Sequence, residues 1–144
     1  MKLYLILFSS ILISACHSST TSNPGLEEFQ AGIYQYSACD STDVKVLEGT
    51  IQLEFDDPMH FKGHWNVKAK KSDWADHPHT GAGHLIGTLK DDSLSINLHP
   101  GWVDHNIFLN GIYHDGKIIG KWMYLSYMGW TDGGNFKAEY YDED

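Results

Sequence analysis

The residues of this chain best suited to chemistry crowd into three short stretches. Trp74, Asp76, His77 and His79 fall in the first; His99, Trp102, Asp104 and His105 in the second; Trp130 and Asp132 in the third. Neutral imidazole is the commonest metal ligand, and histidine with aspartate suits zinc or copper. His77, His79 and His84, joined by His99 or His105, would supply three or four ligands. His60 and His64 alternate with lysines and read instead as solvated side chains. Tryptophans in such polar stretches have two readings, an exposed binding surface or a plug folded inward. As a site for a small ligand or a partner, the candidates are Trp74, Trp102, Trp130, Asp104 and His99.

Catalysis finds less to work with. The sequence holds no His-Glu-x-x-His, no closely paired cysteines and no Gly-x-Ser-x-Gly elbow. Gly111 to Lys117 has the spacing of a phosphate-binding loop, but Ile118 stands where a metal-binding Ser or Thr belongs. We therefore read the chain as a non-enzyme, and nothing in it names a cofactor. A net charge of -9 argues against nucleic acid as a partner.

The elements that must position these residues are strands. Short alternating segments separated by turn residues run from Ala31 onward, with no sustained helical period. The sequence predicts strands at Gly32–Ser37, Glu48–Phe55, Met59–Lys68, Gly83–Leu89, Ser93–Leu98, Asn106–Tyr113, Lys117–Ser126 and Asn135–Tyr141. Alternation is clearest in the second, third, fifth and eighth; the sixth and seventh are apolar on both faces, which leaves their orientation open. Leu26–Ala31 would add one helical turn.

Between these strands, short connections alternate with longer ones. Asp56-Asp57-Pro58, Lys90-Asp91-Asp92 and His114-Asp115-Gly116 are short, and Asp-Gly is a tight-hairpin signal. The stretches Ala38–Leu47, Ala69–Ala82, His99–His105 and Tyr127–Gly134 are long. An up-and-down meander places alternate connections at opposite ends. The expected fold is thus an all-β, eight-stranded antiparallel meander closed into a small barrel, with the long loops all at one end. Trp74, Trp102 and Trp130 would then meet around one rim.

Gly63-His-Trp65, Gly87-Thr-Leu89, Gly120-Lys-Trp122 and Gly134-Asn-Phe136-Lys-Ala138 give this region a glycine–aromatic rhythm. It resembles small lipocalin-like, calycin-type barrels of secreted bacterial proteins. That resemblance implies an apolar ligand held in a cup, with longer loops around its mouth.

The N-terminus reads as targeting. Lys2 gives a positive start, and Leu3 to Ile13 is apolar but too short for a bilayer span of roughly 20 residues. Ile13-Ser14-Ala15-Cys16 resembles the bacterial lipobox, in which small residues precede a cysteine that becomes lipidated. The resemblance implies a signal peptide over residues 1–15 and an acylated Cys16 holding the domain on a membrane. Several acyl chains anchor stably, at about 0.8 kcal/mol per buried CH₂. In a Gram-negative cell, His17 in place of Asp would favour the outer membrane. Residues 16–30 are expected to be the lipidated cysteine and a flexible tether, 31–141 the barrel and 142–144 an acidic tail. With Cys16 committed to lipid, Cys39 has no internal disulfide partner.

Three functional expectations follow. The first is an envelope lipoprotein whose barrel binds a small apolar or amphipathic ligand at its open end. The second is an interaction or inhibitor module presenting an aromatic rim to an envelope protein. The third is a histidine-based metal-binding lipoprotein. A hollow interior would favour the first, and a filled interior with outward tryptophans the second.

Overall fold

A computed structural model of the chain describes residues 28–142. Its eight strands are β1 (Gly32–Cys39), β2 (Lys45–Phe55), β3 (His60–Ala69), β4 (Gly81–Lys90), β5 (Ser93–Asn97), β6 (Asn106–His114), β7 (Lys117–Ser126) and β8 (Gly129–Tyr141). Each pairs with its chain neighbours, and β1 closes on β8, giving an antiparallel meander barrel. The sequence-predicted fold is thus observed. Alternation builds it: along β3, Phe61, Gly63, Trp65 and Val67 turn inward, while Lys62, His64, Asn66 and Lys68 turn to solvent. In β6 and β7, Ile107, Leu109, Ile118 and Trp122 are buried. Ile112 and Ile119 are left exposed on the outer face, opposite one another in register.

The connections differ from expectation in two places. Between β1 and β2 the loop is only 40–44, held by the Asp40 carboxylate, whose Oδ1 accepts from the Thr42 and Val44 backbone N–H groups at 2.9 and 3.0 Å. Between β7 and β8 only Tyr127 and Met128 remain outside the strands. Gly133 and Gly134, which read as loop, continue the ladder opposite Met123 and Trp122. A long partner strand supplies backbone pairing that outweighs their weak strand preference. Trp130 therefore sits on β8, opposite Leu125, and not on a loop. The two longer connections, 70–80 and 98–105, do share one end of the barrel.

The interior is filled with side chains. Tyr34, Val46, Ile51, Ile96, Ile107, Leu109, Ile118 and Trp122 have no accessible surface. Such residues cannot line a void that holds water, because its surface would count as theirs. Gly87 makes room for this packing: a Cβ there would lie 2.2 Å from the Phe61 ring.

Phe29, expected in the tether, is instead a stopper at the tight-turn end. It is 7% exposed and meets the rings of Phe55, Phe61 and Tyr113. An aromatic beside an open ring of apolar side chains gains by covering them. Next to it, the Tyr34 hydroxyl donates to the Gln30 carbonyl at 2.6 Å. Glu28 to Ala31 form no helical turn. Cys16, the targeting segment, Leu26 and Glu27 lie outside the described residues.

Candidate functional site

The loop end of the barrel divides into a lid and a lip. The lid is the β3–β4 connection, which folds inward after a short 3-10 turn, Ser72–Trp74. His79 is fully buried and shares a 2.8 Å hydrogen bond between its Nε2 and the Tyr36 hydroxyl. Among the described residues its Nδ1 has no hydrogen-bond partner. Burial holds the His79 pKa well below the ordinary histidine value, with His77 and His99 adding to the effect, so the ring is neutral. The His77 Nδ1 accepts the His79 backbone N–H at 3.1 Å, which leaves Nε2 facing Asp132 Oδ2 at 3.6 Å. Burial lowers the His77 pKa, and the Asp132 carboxylate opposes the shift without cancelling it. Trp74 lies half-buried against His77 and Trp122, at centroid distances of 4.5 and 5.9 Å. It belongs to the plug and not to an exposed rim.

Two indoles tie the lid end together. The Trp65 Nε1 donates to the Leu98 carbonyl and the Trp122 Nε1 to the Cys39 carbonyl, each at 2.7 Å. Cys39 itself is a free, half-buried thiol. His99 Nε2 donates to the Pro78 carbonyl at 3.0 Å and its ring meets Trp65, so it joins the two long loops.

The lip is the exposed remainder. Trp102 is 69% exposed and Trp130 58%, with Val103, Tyr127 and Met128 also exposed. Phe108, on the outer face of β6, makes an edge contact with Trp130 at 5.8 Å. Buried Asn106 holds the β5–β6 loop in place, its Nδ2 donating to the His99 and Trp102 carbonyls at 3.2 and 3.1 Å. Asp104 is exposed beside Val103.

The candidate residues are therefore divided. Trp102, Trp130 and Asp104 face solvent, while Trp74 and His99 serve the lid. The proposed ligand set His77, His79 and His84 is not gathered. His84 is exposed on β4, where its ring lies 4.6 Å from that of His64, whereas His79 is enclosed against Trp122. Among the described residues no three or more His, Cys, Asp or Glu side chains form a metal-holding group. Sequence reasoning missed Phe108, Tyr127 and Met128. The signals were β6 being apolar on both faces, and two large apolar residues adjoining Gly129 in a turn.

No protein-family model matches the chain, and no curated protein matches it.

Proposed function

We propose that this chain is a lipid-anchored envelope module that grips a protein partner with the aromatic lip. The carrying observation is a filled barrel whose Trp102, Val103, Tyr127, Met128 and Trp130 face solvent at one end. A ligand inside the barrel would have to displace side chains that leave no accessible space, so the geometry favours a surface partner over a ligand in a cup. Exposed aromatic and Met side chains at one end of the barrel have the composition of interface centres. Asp40, Asp43, Asp73, Asp76, Asp104 and Asp132 stand around this end, against Lys45, Lys70 and Lys71. The partner surface that fits is apolar at its centre and basic at its rim. Anchoring through Cys16 is part of the proposal and rests on the lipobox resemblance.

The test uses the full chain in a bacterial envelope, with a photo-crosslinking residue in place of Tyr127 or, as control, outward-facing Gln35. A discrete adduct is expected from position 127 alone. It should weaken with added salt and vanish in Trp102→Ala combined with Trp130→Ala. Equal adducts from both positions would overturn the lip. In parallel, labelled palmitate should enter the wild-type chain and not Cys16→Ser; failure of the wild type to label removes the anchor and leaves the lip standing.

A further inference from the structure

A different histidine pair lies on the barrel wall. His64 on β3 and His84 on β4 are directly opposite in register, and both side chains face outward. Their ring centroids are 4.6 Å apart, with an interplanar angle of 53°. Two imidazoles bound to one ion at about 2.0–2.1 Å, at right angles to each other, have centroids about 4.5 Å apart. The observed spacing is that of a pair of adjacent ligands. Both residues are exposed, and among the described residues neither ring hydrogen-bonds or ion-pairs with the protein. Gln52 on β2 pairs with His64 and continues the row. Its amide nitrogen is turned to Glu54 at 3.4 Å, which leaves its carbonyl oxygen as a further donor atom on the same face.

We propose that His64 and His84 form a bidentate surface site for a borderline divalent cation. Two imidazoles with no thiolate suit copper(II) first, then nickel and zinc. The strand register fixes the two rings side by side before metal arrives, so little side-chain freedom is lost on binding. Water fills the remaining positions, since the described residues supply no cluster of three charged or thiol ligands. Of the lysines that share the outer face of β3 with His64, Lys62 is ion-paired with Asp56. This site is independent of the lip and of the lid histidines.

The experiment titrates the untagged full chain with copper(II) alone, reading occupancy by equilibrium dialysis and ligand type by electron paramagnetic resonance. One ion should bind saturably at micromolar metal, with splitting from two nitrogens. Binding should weaken on acidification, because a protonated imidazole cannot ligate metal. His64→Ala or His84→Ala should each lower affinity at least about tenfold, and the double variant should lose little more, because either change destroys the chelate. His60→Ala should leave binding unchanged. Metal-free melting curves of the variants should match the wild type, and only the wild type should melt higher with zinc added. Binding that survives both substitutions, or no saturable binding at micromolar metal, overturns the site.

Discussion

His79 is a titratable side chain shut inside a barrel, and its protonation is coupled to folding. The folded ring has its pKa held well below the ordinary value, while the unfolded chain titrates near 6.5. Below about pH 6.5 the unfolded state therefore binds a proton that the folded state does not. Stability should fall as pH drops from about 6.5 toward the folded pKa, at up to about 1.4 kcal/mol per pH unit. His77, also lowered, acts in the same direction. Denaturant titrations across pH 7.5 to 5 should show this slope, and His79→Gln should flatten it; an unchanged slope would mean the ring is not what couples pH to folding. The carboxylates Asp57 and Glu139, lowered by hydrogen bonds from Met59 and Lys137 respectively, act in a separate window near pH 4 and below. The tryptophans divide by the same logic of burial. Trp65→Ala should cost about 3–5 kcal/mol, since it empties the core. Trp102→Ala should stay within about 0.5 kcal/mol. Similar losses for both would make the lip a structural plug. The identity of Trp65 as core was legible from its alternation with Phe61 and Val67. The inward turn of Trp74 was not, because a loop has no period to read.

Strands were legible where one face is polar. Along β3 and β5 the inward set could be read residue by residue, and the register follows from it. In β6 and β7 the outward positions carry Phe108, Ile112 and Ile119, so the pattern gives no facing; those same apolar positions now mark an outer surface. The start of β8 was misread because glycine and aspartate are turn residues by preference, whereas β7 runs over Lys117–Ser126 as its pattern predicts. Pairing with ten residues of β7 decides otherwise. Close packing between strands makes a specific demand at Gly87, where a Cβ would meet Phe61 at 2.2 Å and the Ser95 carbonyl at 2.9 Å. Gly87→Ala should destabilise by about 1–3 kcal/mol, by overpacking. Combining it with Phe61→Leu should recover part of that loss if the ring is the obstacle; a purely additive double variant would shift the cause to the Ser95 carbonyl.

The meander was legible from short alternating segments separated by turns, although only the 70–80 and 98–105 connections are long as expected, and 40–44 and 127–128 are short. Whether the barrel is hollow was not legible, since that depends on how Trp65, Trp122 and Tyr34 share one interior and on Phe29 reaching in from outside the strand set. A filled barrel gains nothing from amphiphiles, so micromolar fatty acid should leave the melting temperature unchanged; a rise would point to an internal ligand after all. Phe29 has one more effect. It pins the incoming chain beneath the tight turns, at the pole opposite Trp102 and Trp130. Strands of about ten residues, tilted as in small barrels, separate those poles by roughly 25 Å. With a lipid on Cys16, the chain from there to Phe29 adds at most roughly 45 Å. The lip would then reach a partner standing tens of ångströms clear of the bilayer, a height that an acylated domain without such a leash could not span.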